Sequence, residues 1–167
     1  PTLYKLCWKI DVKRISRDHY ISHFQKAAKS SWKKILDESV IDRVLILTER
    51  HPFYINKLAD SLWTFHDHKN MPNIQSVDAA WSAILEEERS DAIREISLLS
   101  LGQKNVLYQI AIGNMHITDK QSILILEMSS SSIMTALTGL IEKDVIEKVD
   151  GVYQIINPVV KFYALKN

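Results

Sequence analysis

The sequence predicts a mainly α-helical protein that ends in a winged helix-turn-helix domain, and three features near its end predict this. Apolar residues recur on one face of a helix of about 3.6 residues per turn; they are Ile133, Leu137, Leu140 and Ile141. Serines 129–132 precede this helix and can cap its first amides. Two β-branched runs then flank Asp150-Gly151, a typical hairpin dipeptide. A helix that leads into a hairpin predicts the winged fold, which does not by itself define a function.

Length and composition are those of an ordinary globular chain. The 167 residues suit one domain or two small ones, with 46% hydrophobic and 25% charged residues. No apolar run approaches the roughly 18–20 residues of a membrane span, so no membrane partner is expected. Cys7 is the single cysteine, which favours a reducing cytoplasm. The chain begins at Pro1 without a signal-peptide pattern, and we expect that it was cut from a longer protein.

Charge is distributed unevenly along the chain. Residues 1–35 contain nine Lys/Arg against two Asp/Glu, whereas residues 36–115 contain seven against twelve. Residues 116–167 contain five against six. The basic segment therefore lies far from the predicted winged helix, and we expect it to face the acidic segment 36–115 or a missing acidic domain.

The first half of the sequence predicts one strand and four helices. Alternating apolar residues predict a strand over 8–12, with no obvious partner. Helical periodicity then predicts helices over 18–31, from Asp37 to about 48, and from Pro52 to 63. Ser76 is the predicted cap of a fourth helix that continues to about residue 96.

The second half predicts the parts of a winged helix. A boundary is expected at 98–102, followed by a helix over 106–111 and a short strand over 116–118 that pairs with the wing. The second helix is expected at 123–126, and the tail over 159–165 fits either a helix or a strand.

The sequence lacks the groups needed for catalysis. The chain contains four glycines, and neither GxxxxGK[ST] nor GxGxxG can be built from them. We therefore expect that this chain alone does not hydrolyse a nucleotide. His19 and His23 have the i, i+4 spacing of metal-binding pairs, but no third ligand is evident, so no metal site is expected.

A winged helix also suggests DNA binding, but the charges do not favour it. Residues 129–140 contain no Lys or Arg, whereas recognition helices present donors to bases and phosphates. Lys148 on the predicted wing stands beside Glu147. The candidate contacts to DNA or to a protein partner are Ser131, Ser132, Thr135 and Lys148.

Two stretches resemble the C-terminal region of prokaryotic P-loop ATPases of the AAA+/STAND kind, relatives of the archaeal origin-recognition ATPases. The first is the apolar helix end at 45–48 followed by HPFYINKLADSLW, residues 51–63. The second is SSIMTALTGLIEKDVIEKVDGVYQIINP, residues 131–158. Between them, the apolar pattern over 101–111 fits the first helix of that family's winged domain.

This resemblance implies a division of the chain and a nucleotide contact. It implies that residues 1–14 are a strand or linker from an absent ATPase core, residues 15–96 a helical lid, and residues 97–167 the winged helix. In the family the His-Pro pair lies near the adenine and ribose, a role carried over to His51 and Pro52. A helix N-terminus also favours anionic groups. The intact protein is then expected to be an ATPase that binds ATP or ADP and Mg²⁺.

Three positions depart from the family pattern. Arg50 replaces a glycine before His-Pro, where it would either alter the approach to the nucleotide or add a cation that faces the phosphates. Asp144 replaces a glycine between the helix and the wing, and Asn157 replaces an aspartate before Pro158.

Three hypotheses follow from the sequence. The first is the lid and winged-helix portion of a switch ATPase that couples nucleotide state to a protein partner. The second is a winged-helix regulator that binds DNA, and the third is a stand-alone helical interaction module.

Overall fold

A computed structural model of the chain describes residues 14–114 and 116–166. In this part of the chain nine α-helices and one antiparallel hairpin confirm the predicted fold class, a mainly helical protein with helices first and a hairpin-winged helix-turn-helix second. The elements are α1 (Arg17–Trp32), α2 (Glu38–Leu47), α3 (Pro52–Phe65), α4 (Ile74–Glu87), α5 (Arg89–Ser97), α6 (Leu101–Ala111), α7 (Lys120–Leu126), α8 (Ser130–Glu142), β1 (Ile146–Val149), β2 (Val152–Ile155) and α9 (Pro158–Ala164).

Short polar side chains fix the starts of most helices by accepting a backbone N–H of the first turn. The residues that do so are Ser16, Asp37, Asn73, Ser100, Asp119, Ser129 and Asn157. The prediction that Ser76 caps the fourth helix is wrong, because Asn73 is the N-cap and Ser76 is the third helical residue. The two side chains form a reciprocal capping box, so the helix begins three residues earlier than predicted.

The single long helix predicted up to residue 96 is two helices. Glu88 separates α4 from α5, with a ψ of −1° where an α-helix has about −42°. The chain bends there, and α5 packs against α9 at the far end of the sequence. The apolar periodicity continues across the bend, which is why the sequence predicts one helix.

Aromatic residues fill the core of the first four helices. Trp32 of α1 stacks on Trp63 of α3 with ring centroids 4.3 Å apart. Phe24 meets the same Trp63 edge-on, and Tyr54 meets Trp81 of α4 edge-on at 5.9 Å. These large rings bury much apolar area, and their offset and edge-to-face arrangements favour one packing of the helices.

The hairpin forms as the Asp-Gly pair predicts. Asp150 and Gly151 have φ values of 50° and 86°, so both central residues of the two-residue turn are left-handed, as the favoured hairpin turn requires. Val149 then pairs with Val152, and Ile146 pairs with Ile155 at the other end of the ladder. Ile146 and Ile155 are both buried, which joins the wing to the core.

One prediction about the winged helix is wrong. Residues 116–118 form a turn, because the Ser122 hydroxyl donates to the His116 carbonyl at 2.8 Å and such local bonds replace strand pairing. On the predicted apolar face of α8, Leu140 is fully buried, whereas Ile141 is 42% exposed and so lies at the edge of that face.

The tail forms a helix, α9, which connects the two halves of the fold. It packs on α5 and α6, and the Tyr163 hydroxyl donates to the Leu85 carbonyl at 3.0 Å. One continuous hydrophobic core includes residues from both halves. The proposed boundaries at 15–96 and 97–167 stay a prediction, and the strand predicted over 8–12 lies outside the described residues.

No single helix in the described part of the chain is long and apolar enough to cross a membrane. By length and composition alone, α7 and α8 together pass such a test, although they are bent by 83° at the break between them.

We expect that Asp144→Gly stabilises the protein by about 0.5 kcal/mol, because Asp144 has a φ of 54° and glycine adopts this conformation without strain. The matched control is Asp60→Gly within α3, where glycine lowers stability by a few tenths of a kcal/mol. Urea unfolding of both variants measures the two effects. Destabilisation by both substitutions would contradict this assignment of strain.

Candidate functional site

The turn between α2 and α3 has an unusual and firmly bonded backbone. Glu49 and Arg50 are both left-handed, with φ values of 49° and 57°. The Arg50 N–H donates to the Leu45 carbonyl at 3.1 Å, and the His51 N–H donates to the Thr48 carbonyl at 2.8 Å. Non-glycine residues rarely adopt this conformation, so two such residues in succession are uncommon. Residues with unusual backbone conformations cluster at functional sites. We name residues 48–51 the junction.

The junction is bonded to the C-terminal half of the fold through two cations. Arg14 donates to the backbone carbonyl of Glu49 and, at 3.0 Å, to the carboxylate of Glu147 on β1. It also lies 3.5 Å from the carbonyl oxygen of Ile156, just after β2. Lys161 of α9 forms an ion pair with the side chain of Glu49, and both side chains are about one-third exposed. The wing and α9 therefore contact the same short turn.

His51 lies in this junction as the residue before α3. Its side chain makes no capping hydrogen bond, and its Nδ1 atom is buried without a partner in the described residues. The ring lies 5.3 Å from that of Tyr54. Burial lowers the pKa of His51, and the nearby charge of Arg14 lowers it further, so the neutral imidazole is favoured.

Tyr20 of α1 is a second buried polar group, and the charges of Arg50 and Arg14 also act on it. Its side chain is 6% exposed, and its hydroxyl makes no hydrogen bond within the described part of the chain. Burial raises the pKa of Tyr20, while the charges of Arg50 and Arg14 oppose the shift. Since nearly all buried polar groups in proteins are hydrogen-bonded, the unpaired atoms of His51 and Tyr20 are exceptions, and the charge of Arg14 acts on both side chains.

Two grooves open beside the junction. One, of about 710 Å³, lies between α1 and α3 and is mostly apolar. It is lined by Ile15, His19, Tyr20, His23, Phe24, Ala27, Pro52, Ile55, Asn56, Ala59, Asp60 and Trp63. The other, of about 600 Å³, is lined by Arg14, Arg17, Asp42, Leu45, Ile46, Glu49, Arg50 and Gln154. Pro52 thus lies at the apolar groove and Arg50 at the charged one.

Arg50 differs from the other cations of the charged groove. Arg17 is paired with Asp42 through two hydrogen bonds of 2.6 and 2.7 Å, and Arg14 is paired with Glu147. Among the described residues no carboxylate pairs with the exposed guanidinium of Arg50. Its charge is therefore available to an anion.

The structure places the other predicted contacts in two separate grooves. Ser131, Ser132 and Thr135 line a small groove beside the start of α6. Lys148 lines a different one with His116, and its ammonium lies 5.0 Å from the centre of the Tyr153 ring. The Thr135 hydroxyl is engaged within α8, where it donates to the Ser131 carbonyl. The four residues do not form one surface, and their role in DNA or partner binding stays a prediction.

His19 and His23 are the two residues whose spacing in the sequence resembles that of a metal-binding pair. The described residues contain no group of three or more His, Cys, Asp or Glu side chains placed to hold a metal ion. His19 and His23 line the apolar groove, and the Nδ1 atom of His19 lies 2.9 Å from the Ser16 hydroxyl.

Several residues at or beside the junction were not predicted as site residues from the sequence. The sequence pattern placed Tyr20 only on the apolar face of a helix. Glu49 and Lys161 are more than a hundred positions apart, so no local pattern connects them. Arg14 lies in the basic N-terminal segment, and its carboxylate partner is Glu147 of the wing, outside the acidic segment 36–115 that was expected to face it. A signal for the left-handed turn was present, since the resemblance expects a glycine at position 50.

Comparison with solved structures finds the same fold in the Walker-type ATPase of Pyrococcus abyssi, with a TM-score of 0.64 and 18% sequence identity. The match covers 93% of this chain and 43% of that chain, so this chain spans less than half of the length of that protein. No protein-family model and no curated protein matches the chain. At this level of identity the likeness shows a shared fold.

We expect the Glu49–Lys161 ion pair to contribute about 1 kcal/mol in a double-mutant cycle with Glu49→Gln and Lys161→Met, because both groups are largely shielded from water. The control is the Arg94–Asp91 pair, whose side chains are 74% and 70% exposed and whose coupling should stay below about 0.5 kcal/mol. Urea unfolding of each variant gives the coupling energies. Equal coupling in both pairs would contradict the junction contact.

The buried His51 predicts a pH dependence of stability. Because its pKa is lowered from the ordinary 6.5 in the folded state, the unfolded chain takes up the proton first as the pH falls. The stability that neutral His51 contributes is therefore present above about pH 6.5 and is lost as the pH falls toward the folded pKa. The free-energy difference between wild type and His51→Gln should shrink from pH 7.5 to pH 5, as denaturant titrations would measure. A difference that grows on acidification would contradict this burial.

Proposed function

We propose that this chain is the lid and winged-helix portion of a cytoplasmic nucleotide-switch P-loop ATPase whose core precedes residue 1. The observation that carries the proposal is the junction, where Arg50, which has no carboxylate partner among the described residues, and the unpaired buried Nδ1 atom of His51 directly precede a helix that begins with proline. The shared fold with a Walker-type ATPase more than twice as long supports the interpretation of this chain as part of an ATPase-related protein. The role of the winged helix would be to couple nucleotide state to a protein partner.

The residues at the junction fit a nucleotide that is held mainly by another domain. Pro52 and the mostly apolar groove beside it offer apolar surface for a base, and Tyr20 lines the same groove. Arg50 offers positive charge to phosphates. The chemistry that ATP or ADP with Mg²⁺ supplies here is a change in negative charge between the two nucleotide states.

Coupling requires that the two nucleotide states make different contacts with this chain. His51 and Arg50 are the candidate contacts, and Glu49 is the next residue along the same bonded turn. A shift of the turn would act on Lys161 through its ion pair and on β1 through Arg14. The wing and α9 would then move with the turn, which changes the surface that a partner meets.

The first test is the coding sequence upstream of Pro1. The proposal predicts a GxxxxGK[ST] loop after a strand, roughly 150–250 residues earlier, which is the spacing of one ATPase domain. An unrelated upstream domain would contradict the proposal.

In the intact protein we expect Arg50→Glu to weaken ATP binding about tenfold or more, because it replaces a phosphate-facing cation by an anion. Lys26→Glu, an equal charge reversal on the exposed surface of α1, should leave the affinity unchanged. Isothermal titration calorimetry of the two variants and the wild type measures both affinities. Equal affinities in all three proteins would remove Arg50 from the nucleotide site.

A further inference from the structure

The C-terminal half exposes an apolar groove that the proposed nucleotide contact does not use. Four of the large apolar side chains that line it are exposed: Leu101 and Tyr108 of α6, Ile125 of α7, and Leu165 just after α9. Their exposed fractions are 76%, 44%, 54% and 45%. The space that they enclose is about 660 Å³. We name it the α6 groove.

The α6 groove is not required by the fold. Val106 and Ile110 of α6 belong to the buried core, where α6 packs against α8 and α9. Leu101 and Tyr108 therefore add apolar surface that folding leaves in water. Convergent exposed apolar residues of this kind mark interaction sites in proteins, whereas isolated ones are ordinary.

The charges around the α6 groove have one sign. The charged residues that line it are Lys104 and Lys166, and no Asp or Glu lines it. Lys104 has no bonding partner among the described residues, and the Lys166 ammonium lies 4.4 Å from the centre of the Phe162 ring. Asn105 and Gln109 add polar groups to the lining. An acidic partner would complement this rim, and a basic one would be repelled.

We propose that the α6 groove binds an amphipathic helix whose apolar stripe is flanked by Asp and Glu. The 11 residues of α6 give a wall about 16 Å long. This length accommodates apolar anchors at i, i+3, i+4 and i+7, which extend over about 10.5 Å along a helix. The inference gives a chemistry to the protein partner of the proposed function. It does not depend on the nucleotide contact, since binding in this groove needs no nucleotide.

The test uses the 167-residue chain and two synthetic peptides of about 18 residues, a length at which designed helices are formed in part. Both carry leucine at the anchor spacing; one carries glutamate beside the stripe and the other lysine. Fluorescence anisotropy should show that the glutamate peptide binds at least about tenfold more tightly than the lysine peptide near physiological salt. Amide chemical-shift changes should map to residues 101–112, 124–126 and 163–166.

Substitutions make the test specific to this groove. Lys104→Glu should weaken binding of the glutamate peptide by about tenfold and strengthen binding of the lysine peptide. Lys26→Glu, the matched reversal on α1, should change neither affinity. Leu101→Ser, at a position 76% exposed and so tolerated by the fold, should also weaken binding.

Three results would overturn the proposal. They are equal affinity for the two peptides, chemical-shift changes in the α1–α3 groove in place of the α6 groove, and self-association of the chain that Leu101→Ser abolishes. The last result would identify a second copy of this chain as the occupant. None of them alters the expected effect of Arg50→Glu on ATP affinity, so the two proposals fail separately.

Discussion

The side chain of Arg14 bonds the turn between α2 and α3 to the wing, in addition to the shared hydrophobic core and α9 that join the two halves. Its guanidinium joins the carbonyl of Glu49 to the carboxylate of Glu147 and the region of the Ile156 carbonyl, so it links two distant parts of the sequence. Such a planar group with five donors suits several acceptors at once, which a lysine could not match. Because the wing is itself a short two-stranded hairpin, its position relative to the first helices relies on contacts of this kind.

Two positions at which the resemblance expects glycine keep the backbone conformation of glycine although other residues occupy them. The resemblance expects glycine at positions 50 and 144, and the structure gives both positions a positive φ, at 57° for Arg50 and 54° for Asp144. The backbone conformation is therefore the one that glycine would favour, although the side chains differ. At position 50 the replacement adds an unpaired cation, and at position 144 it adds an exposed carboxylate. This makes position 50 the more informative departure for function.

Much of the fold could be predicted because its signals are local. The start of α3 at Pro52, the cap of α2 at Asp37 and the Asp150-Gly151 turn each depend on residues close in sequence. The break at Glu88 could not be predicted, since it depends on the docking of α5 against α9 and leaves the apolar period intact. The turn at 116–118 was missed because side-chain bonds to Ser122 replaced the expected strand pairing.

The candidate site was predicted only in part, for a related reason. His51 and Pro52 were found through a resemblance in a local motif, whereas Tyr20, Glu49 and Lys161 join the site through tertiary contacts. The exposed Leu101 and Tyr108 of α6 were not predicted as a docking surface, because apolar periodicity alone does not distinguish a core from a docking surface. The two sides of the winged helix therefore carry different surfaces, with small polar residues along α8 and an apolar groove along α6.

The central claim is that the junction transmits nucleotide state to the winged helix, and hydrogen–deuterium exchange of the intact protein with and without ATP tests it most directly. We predict that ATP changes exchange at residues 48–51 and, together with them, in the hairpin and α9. In the Glu49→Gln/Lys161→Met double variant the change should stay at the junction and be reduced in α9. A nucleotide effect that never reaches the hairpin or α9 in the wild-type protein would contradict the account.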